Sequence, residues 1–73
     1  MIRMVFDGWE DGFSKMSSTK LFQEYFGLGL KQAKGKTDDL LDGKSFGLSV
    51  EYLEDPRSAL NAFLQIGALC HLE

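Results

Sequence analysis

The sequence predicts one α+β domain, residues 1–73, in which three helices cover one face of a three-stranded sheet. Three observations predict this two-layer sandwich. The length suits a single small domain. Apolar residues alternate in three short segments, which is typical of strands with one buried face. In three other segments apolar residues recur every three or four positions, as in amphipathic helices. The order β-α-α-β-α-β follows from these segments.

The first strand is predicted over residues 1–6. Its buried side consists of the alternating residues Ile2, Met4 and Phe6. The residues that follow are turn formers and predict a loop: Asp7, Gly8, Asp11 and Gly12. Trp9 lies inside this loop. We interpret its ring as a cover for one end of the small core, with an exposed anchor for a partner as the alternative.

Two helices are predicted next, joined at Gly27. The first begins near Ser14 or Ser17 and ends at Phe26, and Gly27 suits the left-handed position after its last turn. Its apolar stripe is Leu21, Phe22, Tyr25 and Phe26. The second helix ends at Gly43. Its stripe is Leu30, Ala33, Thr37, Leu40 and Leu41.

The last third of the chain predicts a strand, a helix and a strand. Residues 45–53 alternate most clearly, with a buried side of Phe46, Leu48, Val50 and Tyr52. Asp55 is the expected N-cap of the third helix, and Pro56 its first residue. Gly67 stops that helix, and residues 68–72 form the last strand. Leu72 and Glu73 also match the residues that precede a purification tag, and we place no functional weight on them.

Charge is distributed unevenly along the chain, although the net charge is only −3. Residues 13–37 hold five lysines against one glutamate, a local charge of +4. The other residues hold three basic side chains against ten acids, a charge of −7. The basic segment predicts either a face for an acidic partner or an ordinary solvated helix surface, which is the simpler interpretation from charge alone.

Composition and spacing favour a binding domain over an enzyme. No apolar run is long enough for a membrane span, we expect no signal peptide from the first ten residues, and the single cysteine excludes an internal disulfide. We expect a cytoplasmic protein. Cys70 and His71 are neighbours on a strand and point to opposite faces, so they predict no catalytic pair. We expect no catalytic residue, metal or cofactor, and the acidic net charge disfavours nucleic acid.

Residues 27–34 read Gly-Leu-Gly-Leu-Lys-Gln-Ala-Lys. This segment resembles the Gly-Leu-Gly-Leu-Lys-Glu-Ala-Lys signature of the C-terminal domain of the bacterial large-subunit ribosomal stalk protein, and the predicted element order matches that family. The resemblance implies a protein-interaction domain that recruits translational GTPases through its first two helices. Gln23 stands where the family has an arginine. The implied partner-binding residues are Lys15, Met16, Lys20, Gln23, Lys31 and Lys34.

The same fold also resembles the adaptor that delivers substrates with destabilising N-terminal residues to the Clp protease. That adaptor captures an N-terminal amine with acidic groups that follow its first strand. The resemblance therefore implies an alternative function as an adaptor or inhibitor that binds a peptide N-terminus. The alternative partner-binding residues are Asp7, Trp9, Glu10 and Asp11.

Overall fold

The computed structural model describes residues 2–73, and its helices and strands follow the predicted order. They are β1 (Arg3–Trp9), α1 (Lys15–Phe26), α2 (Leu30–Leu41), β2 (Phe46–Ser49), α3 (Pro56–Gln65) and β3 (Ala68–Leu72). The antiparallel sheet has the order β2-β1-β3, so β1 is its central strand. The prediction of an α+β fold is confirmed. Met1, where the first strand was predicted to begin, lies outside the described residues.

β1 is longer than its alternating pattern predicts, because a bulge lets the strand continue. Phe6 pairs with Cys70 and Gly8 pairs with Leu69, so Asp7 is an extra residue in the ladder. A bulge of this kind shifts the alternation and leaves the strand paired. The predicted loop after Phe6 is therefore wrong for Asp7, Gly8 and Trp9, which belong to β1.

β2 is shorter than predicted, because its partner strand begins too late to pair with more of it. Ser49 lies opposite Arg3, the first residue of β1. The chain turns soon after that position, and the side chain of Tyr52 is 61% exposed. The prediction that Tyr52 is buried is wrong.

The core lies between the sheet and the helices, and the ring of Phe6 is at its centre. Ring centroids of Phe46 and Phe63 are both 5.0 Å from that of Phe6, and that of Phe22 is 5.2 Å away. These contacts bring a ring from each of α1, β2 and α3 onto β1. The buried apolar residues are Met4, Phe6, Phe22, Phe26, Ala33, Leu40, Val50, Ala59, Phe63 and Ala68.

The ends of α1 and α3 carry the capping residues that the sequence predicts. The Asp55 side chain accepts a hydrogen bond from the Ser58 backbone amide, as expected of an N-cap. Gly27 has a φ of 65° and ends α1 in the left-handed conformation. Gly67 has a φ of 92°, and a Cβ there would lie 2.8 Å from Phe13 Cα, so only glycine fits without movement of the backbone. No helix within residues 2–73 is long and apolar enough to cross a membrane.

Candidate functional site

Three buried hydroxyl groups join α1 to α2. The oxygens of Ser18 and Thr37 lie 3.0 Å apart, and the Thr19 hydroxyl is 3.2 Å from that of Thr37. Thr19 also donates to the backbone carbonyl of Lys15 at 3.1 Å. Buried hydroxyls are stable only when they are hydrogen-bonded, so this hydroxyl seam (Ser18, Thr19 and Thr37) fixes the two helices relative to each other.

A groove of about 400 Å³ lies between α1 and the first turns of α2. Its lining is Lys15, Met16, Thr19, Lys20, Gln23, Leu30 and Lys34. Five of the six residues implied by the stalk-family resemblance are therefore brought together around one groove. The sixth, Lys31, is exposed on α2 and is not part of the lining.

Two apolar side chains of the groove are exposed to water. Met16 is 86% exposed and Leu30 is 53% exposed. The prediction that Leu30 belongs to the core stripe is wrong, because Leu30 opens α2 beside α1 and not over the sheet. Long lysine side chains add their methylene stems to such a surface while their ammonium groups remain in water. The groove is thus apolar inside and cationic at its rim.

The rim lysines differ in what they contact. The Lys15 ammonium lies 3.4 Å from the Asp38 carboxylate, in an exposed pair that connects α1 to α2. Lys20 and Lys34 form no ion pair with any residue in the range 2–73. Lys36 does not line the groove, and its ammonium lies 5.0 Å from the centre of the Phe46 ring. Among the lysines that line the groove, Lys20 and Lys34 are therefore the two without an ion pair in the described part of the chain.

The four residues of the alternative site do not share one loop. Asp7 is in β1, and its carboxylate lies 2.8 Å from His71 Nδ1. Glu10 and Asp11 are exposed after β1 ends. The Trp9 indole N–H donates to the Leu41 carbonyl at 3.2 Å, and its ring faces Phe13 at 6.3 Å while 44% of the side chain stays exposed. The prediction that these acids form a single open loop is wrong, because the bulge draws Asp7 into the sheet.

Neighbouring residues on β3 face different surroundings. The carboxylates of Glu73 and Asp7 accept hydrogen bonds from the two ring nitrogens of His71, and these bonds raise the pKa of His71. Burial, assisted by the charge of Asp7, raises the pKa of the Cys70 thiol to about 11. Cys70 is consequently protonated at neutral pH and is a poor nucleophile.

Sequence reasoning missed two lining residues, Thr19 and Leu30. The spacing of Leu30 fits the apolar stripe of α2 and therefore predicts a core residue. The spacing nevertheless contains a signal that both residues lie beside predicted site residues. Thr19 is three residues after Met16, and Leu30 is four residues before Lys34. Residues three or four apart share one helix surface.

Comparison with known proteins found no family model that matches this chain and no curated sequence that matches it. The likeness to the ribosomal stalk domain therefore rests on the segment 27–34 and on the order of helices and strands.

Proposed function

We propose that this chain is a non-enzymatic protein-interaction domain that binds an acidic protein partner through the groove between α1 and α2. One observation carries the proposal. Residues chosen from the family resemblance, from Lys15 to Lys34 along the chain, line a single groove when the helices pack. A set of scattered surface lysines would have no such common location.

The chemistry of the groove suits a protein partner. Protein interfaces combine apolar anchors at their centre with a polar, solvated rim. Met16 and Leu30 supply exposed apolar surface, and beside it Lys20 and Lys34 supply positive charge that no acid in residues 2–73 pairs with. A positive rim steers an acidic partner toward the groove and disfavours basic ones.

The stalk-family resemblance suggests a translational GTPase as the partner, which also agrees with a cytoplasmic location. The shared segment 27–34 forms the corner between α1 and α2 and provides two lining residues, Leu30 and Lys34. Gln23 lines the groove where the family carries an arginine, so the rim of this chain has one positive charge fewer.

The proposal is tested by adding elongation factors to isotope-labelled protein and following its backbone amide signals. We expect the largest shift changes between residues 15 and 34, with little change in α3. A Met16→Ala, Leu30→Ala variant should weaken these changes, whereas a Leu64→Ala variant, which removes an exposed leucine from α3, should leave them intact. Absence of changes on α1 and α2 at high micromolar factor would contradict the stalk-like function.

A further inference from the structure

We infer that the groove accepts one short acidic helix of the partner, with an apolar side chain between Met16 and Leu30 and carboxylates on Lys20 and Lys34. This inference rests on the proposed function and adds the shape and chemistry of the partner segment. It follows from three properties of the groove: the helices that form its walls, the two lysines that form no ion pair within the described residues, and the hydroxyl seam beneath it.

The walls favour a helix over an extended peptide. An extended peptide gains affinity by pairing its backbone with a free strand edge. The groove offers no such edge, because the lining residues belong to α1 and the first turns of α2, and the sheet edges are β2 and β3. A helix satisfies its own backbone hydrogen bonds and needs only side-chain contacts from a groove.

The charges select an acidic segment. Lys15 already contacts Asp38, whereas Lys20 on α1 and Lys34 on α2 form no ion pair within the described residues. Carboxylates on both sides of an apolar anchor would match these two positions. Each of these contacts would be exposed, so we expect their contribution to fall as salt concentration rises.

The charge of the remaining chain favours a short segment over an extended polyanion. A nucleic acid or an anionic membrane would meet the whole molecule, whose net charge is −3 and whose residues outside 13–37 carry −7. Repulsion from those acids opposes such surfaces. A short helix would contact only the basic face and avoid most of that repulsion.

The hydroxyl seam preorganises the groove for a helix. Ser18 and Thr37 are fully buried and bonded to each other, so α1 and α2 are held in place before any partner arrives. A site that needs little rearrangement retains more of its contact energy as affinity.

The test uses a helical peptide about fourteen residues long, or about four turns. Apolar residues occupy positions i, i+4 and i+7, and glutamates flank them. Two matched peptides replace either the apolar residues with alanine or the glutamates with lysine. We expect the first peptide to bind the intact protein, and each replacement to weaken binding about tenfold or more. Equal binding of the three peptides would overturn the inference.

Variants of the protein assign the binding to the groove. Lys20→Glu with Lys34→Glu should weaken the acidic peptide about tenfold at low salt and remove most of its salt dependence. Lys44→Glu with Arg57→Glu changes the net charge equally at sites outside the groove and should have little effect. Equal losses in the two variants would show a general charge effect and contradict the inference.

Two further measurements separate this inference from the proposed function. If elongation factors perturb the amides of α1 and α2 while no acidic helix binds, the inference is wrong and the proposed function stands. Vesicles that contain phosphatidylserine are the second probe. We expect the protein not to bind these vesicles. Vesicle binding that is abolished by Lys20→Glu with Lys34→Glu would contradict the inference that the groove binds a protein helix.

Discussion

α1 packs against the rest of the protein through two interfaces of opposite chemistry. Toward the sheet it presents Phe22 and Phe26, whose rings join the aromatic cluster around Phe6. Toward α2 it presents the hydroxyls of Ser18 and Thr19. Burial of rings is strong but weakly directional, whereas hydrogen bonds define positions. The comparison indicates that the aromatic cluster supplies most of the stability and the hydroxyl seam sets the shape of the groove.

The largest effect is expected from Phe6→Ala, which removes the ring shared by α1, β2 and α3. Loss of a buried phenylalanine costs about 3–5 kcal/mol, while the total stability of a chain of this size is only about 4–11 kcal/mol. Urea denaturation should show a large loss of unfolding free energy. Tyr52→Ala removes an exposed ring and should change it by less than about 0.5 kcal/mol. Similar losses for the two variants would contradict the central place of Phe6.

A smaller but more informative effect is expected from Thr37→Val. Valine keeps the shape of the side chain and leaves the buried Ser18 hydroxyl without its partner, which costs about 1–3 kcal/mol. We also expect amide shift changes along the groove, because α1 and α2 lose their fixed relative position. Thr37→Ser retains the hydroxyl and removes a methyl group, so it should lose stability with smaller changes in the groove. If Thr37→Ser instead changed the groove amide shifts more than Thr37→Val does, the methyl group, and not the hydroxyl, would position the helices.

Gly35→Ala should stabilise the protein by up to about 1 kcal/mol. Gly35 lies inside α2, and a Cβ there would meet no heavy atom within 4 Å apart from its chain neighbours and the backbone of its own helix. Alanine is then favoured by its helix propensity and by the reduced freedom of the unfolded chain. Thermal unfolding should show a higher midpoint. Gly67→Ala is the matched contrast and should lower the midpoint, because its positive φ and the nearby Phe13 backbone both oppose a side chain.

The smallest effect is expected at His71, which lies outside both interfaces. Its pKa is raised by Glu73 and Asp7, so the stabilisation from the charged ring is complete below the ordinary value of about 6.5 and is lost as pH rises through the raised pKa. Titration of the ring signals should give a midpoint above 6.5, and Asp7→Asn should lower it. Amides of the hydroxyl seam should not follow this titration; if they do, the two regions are coupled.

The fold was predictable because its main signals are local. Alternation identified Met4 and Phe6 as buried residues of β1, and the Asp55-Pro56 pair located the start of α3. The prediction that Ile2 is buried with them is wrong, because Ile2 precedes β1 and is 47% exposed. The errors arose where a tertiary partner decides the outcome. The bulge at Asp7 keeps β1 paired through residues that are typical of turns, and the short pairing with β1 ends β2 before Tyr52.

The candidate site was predictable only in part, because a local segment suggested its residues while their contacts depend on tertiary packing. The family resemblance selected Lys15, Met16, Lys20 and Lys34 on the two helices, and packing of α1 on α2 brings them together. Helical spacing places Leu30 on one surface with Lys34 and also in the apolar stripe with Ala33 and Thr37, so spacing alone could not decide between the groove and the core. The Lys15–Asp38 contact also depends on the packing of two helices, which no local pattern encodes.

A charge exchange between the protein and the acidic peptide tests the groove most directly. Lys34→Glu should weaken the glutamate-bearing peptide, and a peptide with lysine at one flanking position should regain affinity for this variant while it binds the original protein less well. Recovery of about tenfold in Kd at low salt is the result that we predict. If no lysine position restores binding to the Lys34→Glu protein, Lys34 does not contact the partner and the groove is not the binding surface described above.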